Sequence, residues 1–480
     1  MWKNRIVLSL LILVIGGAGL HARSPFLLAW RGALPWIFLL LGLGLAWKLL
    51  SRKAWALLML LVCLIPLGLQ RKAGSIKTEV LAANPEALRQ LGGHFIVGYR
   101  DFAEIEALVA RGAVGGVFVT QRNIVGKSAE QVRSDIRRLQ ELQARQGLPP
   151  LYIATDQEGG LVSRLSPLVP AQPSLAMWLQ EGGKARDYAE AQAKALAELG
   201  VNLNFSPVVD LMPDVDGRRL LPHTLLEQRA ISADPETVAA AAEDYCLAFE
   251  RQGLRCTLKH FPGLGRVGVD THLKEGAVDL SPEELERNDW LPFRSVLAKS
   301  QAFLMLGHVR VPKIDPEKPA SISRPIVSGL IRETWGHHGV ILTDDFTMGP
   351  IQGRPGGVGA ASREALKAGV DLILISYDPE LYYTAMSELL KDRNDGELQT
   401  ALRESQKRLG QDLDRRAVGN QGPDLIHLGI GDSDAAVGPV IKTMQGAEIR
   451  HAIGQSVDHD GTARGYAAGL GGLPILDGGI

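Results

Sequence analysis

Five places in this chain set ionisable side chains directly behind short apolar runs. Tyr-Ile-Ala-Thr ends on Asp156 and continues Gln157-Glu158-Gly159-Gly160, and Asn204-Phe-Ser-Pro-Val-Val ends on Asp210. Cys256-Thr-Leu ends on Lys259 and His260, Leu304-Met-Leu-Gly on His308, and Ile341-Leu-Thr on Asp344 and Asp345. Taken singly, each has an ordinary explanation: an aspartate behind a strand caps the next helix, a lysine finds an ion pair, and a histidine is satisfied in a core. Taken together, carboxylates, a lysine and imidazoles at five such points can hold a polar ligand and move protons. Asp345, beside Asp344, reads as a cap or structural partner.

The loop after His260 adds a second device. Between Pro262 and Leu273 it carries Gly263, Gly265 and Gly268, then Asp270-Thr271-His272. In extended chain, residues two apart point to one side, so this carboxylate and imidazole can meet. A carboxylate on one ring nitrogen fixes the tautomer and raises the basicity of the other, giving a proton donor and acceptor near neutral pH.

Positioning these groups needs strands that end together. From residue 73 on, short β-rich runs alternate with amphipathic segments. The runs are 94–99, 116–120, 151–156, 201–207, 255–261, 302–309, 339–345 and 371–376. Helical patterns at 129–146, 184–199, 235–251 and 360–368 lie between several of them. Parallel neighbours require such crossovers. Eight strands in about 300 residues predict a (β/α)8 TIM-type barrel over 73–410, whose active site forms where the strand C-termini converge. A doubly wound open sheet is the competing architecture. No Gly-x-Gly-x-x-Gly opens a helix, so nothing points to a dinucleotide.

The first 78 residues are different. They contain no Asp or Glu, and five of the eight tryptophans: Trp2, Trp30, Trp36, Trp47 and Trp55. Apolar runs at 6–20, 34–50 and 54–69 are flanked by Lys3, Arg5, Lys48, Arg52, Lys53, Arg71 and Lys72. Such lengths lie near the lower limit for spanning a bilayer, and the flanks suit its interfaces. Residues 1–72 therefore read as a transmembrane segment of two or three helices, the first alternatively a cleaved signal. Three spans with the N-terminus inside put the catalytic region outside a bacterial-type inner membrane.

The formal net charge of -1 over 480 residues gives no reason to expect a nucleic-acid partner. Cys63, Cys246 and Cys256 show neither a zinc spacing nor a disulfide framework. Residues 411–480 read as a Gly-rich tail without assigned role, and the oligomeric state is not legible.

The ordered motifs resemble glycoside hydrolase family 3. They are Asp-Gln-Glu-Gly-Gly at 156–160 with Arg164, Asn-Phe-Ser-Pro-Val-Val-Asp at 204–210, Lys-His-Phe-Pro-Gly at 259–263, Asp270-Thr-His272 and Thr-Asp-Asp at 343–345. The loop Asp–His pair resembles specifically the β-N-acetylhexosaminidase branch. The resemblance implies a retaining mechanism, with Asp344 as nucleophile and His272, oriented by Asp270, as acid/base. Asp156, Arg164, Arg229, Lys259 and His260 match sugar-binding positions, and no metal or organic cofactor is implied. The implied substrate is a β-N-acetylglucosaminyl saccharide or muropeptide. Three departures bear on substrate detail: Leu264 follows Gly263 where histidine is usual, Leu161 stands where arginine is common, and the segment around Arg229 is less regular than usual. A β-glucosidase, a phosphorolytic relative and an inactive membrane-anchored sugar-binding protein remain the alternatives.

Overall fold

The computed structural model describes residues 2–22, 25–49, 53–212 and 225–419. Eight short strands run parallel to their neighbours: β1 (Phe95–Gly98), β2 (Gly116–Phe118), β3 (Tyr152–Thr155), β4 (Leu203–Asn204), β5 (Thr257–Phe261), β6 (Phe303–Leu306), β7 (Ile341–Thr343) and β8 (Ile373–Ile375). Each falls within one of the eight apolar runs of the sequence. One sheet has the order β8-β1-β2-β3-β4, and a second has the order β7-β6-β5. Isolated parallel bridges continue the pairing: Leu203 with Arg255 beyond β4, and Leu342 with Leu372 beyond β7. The parallel α/β organisation expected from the alternating pattern is present.

Strand residues are buried on both faces, as parallel sheets under helices require. Alternation then sorts them into two cores. Phe95, Val97, Ile373 and Ile375 pack outward against helices, in one cluster. Ile96, Phe118, Tyr152, Leu203, Phe205, Phe303, Met305, Leu342 and Leu374 form a separate inner cluster. Within it, Phe118 stacks on Phe205 with ring centroids 5.6 Å apart, and Tyr152 meets Phe303 edge-on at 5.6 Å.

Among the covering helices are α4 (Phe102–Val109), α5 (Ala129–Ala144), α6 (Ala185–Leu199), α7 (Pro235–Arg251), α8 (Leu291–Leu297), α9 (Gly357–Ala368), α10 (Leu381–Lys391) and α11 (Gly396–Gly419). Their starts are written locally. Ser128 and Gln131 form a capping box on α5, and Asp234 caps α7 ahead of Pro235. The expected helix at 360–368 begins earlier, at Gly357, because the glycines before it can enter the turn.

The last helix passes residue 411, where the sequence placed the start of a tail. Leu409 joins the inner cluster, and Asp412 accepts bonds from Tyr152 Oη (3.1 Å) and Arg255 Nε (2.6 Å). Arg408 reaches Asp371, just before β8, at 2.8 Å. Tyr152, Arg255 and Asp371 all stand at or just before strand starts, so α11 covers the N-terminal end of the strands. Residues 420–480, the rest of the expected tail, lie outside the described residues.

One reading of the sequence is corrected. Cys246, on α7, and Cys256, just before β5, form a disulfide with Cα atoms 5.4 Å apart. Their spacing of 10 residues matches no disulfide signature; the return of the chain from helix to strand brings them together.

The N-terminal segment forms helices α1 (Trp2–Leu20), α2 (Leu34–Lys48) and α3 (Lys53–Leu81). Of these, α3 is long and apolar enough to cross a membrane; Ile6–Leu20 and Leu34–Lys48 are shorter apolar helices. They pack closely. Leu8, Ile12 and Ile15 share a cluster with Met59 and Cys63, and a Cβ on Gly42 would stand 2.6 Å from Cys63 Cβ.

Candidate active site

The C-terminal strand ends carry the polar residues anticipated from the sequence. Behind β3, the chain turns through Asp156 and Glu158 into a short hairpin, Gln157–Gly159 with Val162–Ser163. Behind β5 come the Asp210-bound segment and the Asp270/His272 loop. Behind β7 stand Asp344 and Asp345. Gln157 locks the hairpin through its backbone N–H to Asn204 Oδ1 (2.9 Å) and its side-chain oxygen, which accepts from Leu165 N–H at 3.0 Å.

Lys259 is the hub of a charged cluster. Only 2% exposed, its Nζ lies 2.5 Å from both Asp156 Oδ1 and Glu158 Oε1. Arg229 binds Glu158 with two donors, Nε at 2.9 Å and an Nη at 2.7 Å. Burial pushes the Glu158 pKa up, but the charges of Arg229 and Lys259 more than reverse this and hold it far below the usual range. Burial likewise works against the Arg229 charge, and Glu158 outweighs it, leaving that guanidinium more firmly protonated. The backbone N–H of Arg164 donates to the Asp156 carbonyl at 3.3 Å. Asp156, Arg229 and Lys259 are thus brought together with Glu158, and Arg164 is tied to Asp156 through its backbone.

His260 turns to a different partner. Its Nδ1 lies 2.7 Å from Asp210 Oδ2, and Asp210 Oδ1 also accepts Leu264 N–H at 2.7 Å. Asp210 therefore joins the strand end to the start of the glycine-bearing loop. That loop brings back the Asp–His pair: His272 Nδ1 is 2.9 Å from Asp270 Oδ1, which also accepts the His272 backbone N–H at 3.0 Å. Both residues are buried.

Asp344 lies within the electrostatic field of three imidazoles. Burial raises its pKa, but His260, His308 and His272, with the N–H of Asp345 on Oδ1 at 2.8 Å, pull the carboxyl below the ordinary aspartate value. His308 is itself fully buried, which lowers its pKa, and bonds Ser321 Oγ at 2.9 Å and the Asp345 carbonyl at 3.0 Å. Asp345 points elsewhere. It accepts from Thr347 N–H, Ser376 N–H, Ser376 Oγ and Tyr377 N–H at 2.9, 3.2, 2.5 and 2.9 Å, so it braces the connection behind β8. Burial raises its pKa.

Three partners of these residues were visible in the sequence only as polar strand ends: Glu158, Asp210 and His308. Glu158 contacts Lys259 and Arg229, Asp210 contacts His260, and His308 bonds the carbonyl of Asp345, next to Asp344. The signal for them was position behind an apolar run, which does not tell a ligand-facing group from its support.

Residues 81–411 match the family described as Glycosyl hydrolase family 3 N terminal domain. A Beta-hexosaminidase of Xylella fastidiosa (strain M12) is 36% identical over 291 residues, covering 59% of this chain and 82% of that protein. Beta-hexosaminidase LpqI of Mycobacterium tuberculosis is 33% identical over 290 residues, covering 58% and 70%. Among solved structures, a glycoside hydrolase family 3 beta-N-acetylglucosaminidase from Paenibacillus sp. superposes with TM-score 0.64 at 30% identity, covering 72% of this chain and 65% of that one. The clustered strand-end residues and these matches agree, and the chain belongs to glycosyl hydrolase family 3, in its β-N-acetylhexosaminidase branch.

Proposed function

We propose that this protein is a membrane-anchored, retaining exo-glycosidase that removes terminal β-linked N-acetylglucosamine from cell-wall saccharides. The observation that carries the reading is the Asp270–His272 pair, 2.9 Å apart, beside an Asp344 carboxylate held ionised by surrounding imidazoles. The relatives' names support the hydrolytic activity and the N-acetyl sugar.

In the first step Asp344 attacks the anomeric carbon as the glycosidic bond breaks. His272, its Nδ1 held by Asp270, gives the proton on Nε2 to the departing oxygen. In the second step Nε2 takes a proton from water, whose oxygen displaces the Asp344 carboxylate from the sugar. Lys259, Asp156, Arg164, Arg229 and His260 supply the donors and acceptors for the sugar hydroxyls. The scaffold we infer is a (β/α)8 barrel, in which the two sheets join at the Leu203–Arg255 and Leu342–Leu372 bridges around the inner cluster.

The anchoring reading rests on α3 and on the absence of carboxylates before Glu79. An extracytoplasmic catalytic domain is supported by the Cys246–Cys256 disulfide, since such bonds persist mainly in oxidising compartments.

The test uses the full chain in detergent with chromogenic β-N-acetylglucosaminide and β-glucoside, beside Asp344→Ala and His272→Ala. Cleavage of the N-acetyl substrate alone, lost in Asp344→Ala, is expected. Preferential β-glucoside cleavage would assign the glucosidase reading, and sugar-1-phosphate formed on adding phosphate would assign phosphorolysis. Sugar binding without turnover in the unaltered protein would sink the enzymatic reading.

A further inference from the structure

The N-terminal helices meet the catalytic domain at one particular end. Arg31, between α1 and α2 and only 6% exposed, clamps Asp378 with two bonds of 2.8 and 2.5 Å and Glu380 with a third of 2.9 Å. Asp378 lies three residues beyond the end of β8, at the end where the polar strand-end residues gather. A buried, bidentate Arg–carboxylate pair fixes geometry as well as contact.

The long helix α3 enters from that same end. Lys77 lies 2.5 Å from Glu104 and 5.0 Å from the Tyr383 ring centre, and both partners sit in the first turns of helices leaving strand C-termini, α4 and α10. Val80, farther along, is buried in the main core, and a Cβ on Gly92 would stand 2.4 Å from the carbonyl of Ala113, ahead of the start of β2 and so at the opposite end of the strands. The helix thus descends along the domain from the mouth, and its earlier apolar part rises beyond the mouth. At about 1.5 Å per residue, Leu69 stands about 12 Å beyond Lys77, with Arg71 and Lys72 between. That rise exceeds the polar interfacial layer of one leaflet, about 5–8 Å.

The mouth has a matching surface. Among the described residues after 82, the exposed large apolar side chains are Val125, Leu161, Met177 and Leu273. All four lie in connections that leave strand C-termini: Val125 behind β2, Leu161 and Met177 behind β3, Leu273 behind β5. Isolated exposed apolar residues need no explanation, but their confinement to the end that carries the apolar helices does. Trp30, 61% exposed beside the Arg31 clamp, is the residue type that settles at headgroup level.

We propose that the mouth of the domain rests on the bilayer, with Val125, Leu161, Met177 and Leu273 in the lipid interface, and that the site takes saccharides anchored in that same membrane. This rests on the anchoring and glycosidase readings above. A glycan free in solution has to enter sideways between the domain and the membrane, whereas a lipid-tethered one is already held at the mouth.

The experiment uses the full chain in phosphatidylcholine–phosphatidylglycerol nanodiscs, labelled with a fluorophore at V125C, M177C or R145C. Arg145 is exposed at the opposite end, after α5. A doxyl spin label on the lipid is expected to quench positions 125 and 177 severalfold more than 145. In parallel, V125D/M177D is expected to slow cleavage of a lipid-tailed N-acetylglucosaminide severalfold while the soluble chromogenic substrate is cleaved as before. Equal quenching at all three positions, or an unchanged lipid-tailed rate, would overturn the proposal. A chain that fails to associate with lipid at all refutes the anchoring reading and this one with it. Loss of both activities in the unlabelled parent refutes the glycosidase reading while the quenching still decides the orientation.

Discussion

The backbone N–H of Gly349 donates to the carbonyl of His272 at 2.9 Å, joining the segment behind Asp344 to the loop that carries the proposed acid/base. A Cβ at 349 would stand 2.4 Å from the Leu273 carbonyl oxygen and 3.1 Å from that of His272. The two halves of the proposed mechanism are therefore set against each other through a position that only glycine fits.

Gly349→Ala is expected to push the Asp270–Leu273 loop outward and separate His272 from Asp344. Misplacing a reacting group by about 1 Å costs about 10²-fold in kcat. KM should change little, because Lys259, Asp156 and Arg229 are untouched. Steady-state kinetics with a melting curve decide: unchanged kcat in a folded variant rejects the positioning role.

His272→Ala should lower kcat by about 10²–10⁴-fold, the usual worth of a general acid or base. Glycosyl-enzyme formation should be largely restored with a dinitrophenyl leaving group, which departs without protonation. Asp270→Asn should lose less and shift the pH profile, since it alters the tautomer and not the ring. Pre-steady-state bursts with the two leaving groups separate these outcomes; equal losses with both would exclude His272 as the acid.

Glu158→Gln leaves Lys259 and Arg229 buried without their shared anion. Breaking a buried pair from one side costs about 3–5 kcal/mol. The sign with pH follows from the lowered Glu158 pKa: its ionised form stabilises the fold above the ordinary glutamate value of 4.5, and this is lost as pH falls towards the folded value. Urea unfolding of the parent and variant in detergent should show a gap at pH 7 that narrows below pH 4.5. A gap that is absent at pH 7, or widens in acid, contradicts the assigned cause.

Replacing Cys246 and Cys256 by serine removes a short cross-link between α7 and β5. The expected loss is about 2–4 kcal/mol of stability. Thermal melting with and without reductant reads the effect. Reductant should lower the midpoint of the parent and leave the double variant where it is.

How much of this was legible beforehand depends on the distance over which each cause acts. Burial on both strand faces writes itself as apolar runs, so all eight parallel strands lay within runs visible in the sequence. Capping is local too, which is why α7 begins at Pro235 behind Asp234 as its pattern suggested. The Asp270–His272 contact expected from extended chain did form, but through a turn in which the Asp270 carbonyl accepts from Leu273 and Lys274 and its side chain from the His272 N–H.

What the tertiary structure alone decided are the pairings between segments far apart along the chain. Nothing near Glu158 says that Arg229 and Lys259 will both close on it, because that choice is made by which strand ends face each other. The same holds for Asp210 beneath His260, for the Cys246–Cys256 bond, and for Arg31 on Asp378, 347 residues away. The residue types of the site were set by sequence, since chemistry needs particular side chains at strand ends. Which of them pair with one another came only from packing, where burial makes each charge find a distant partner.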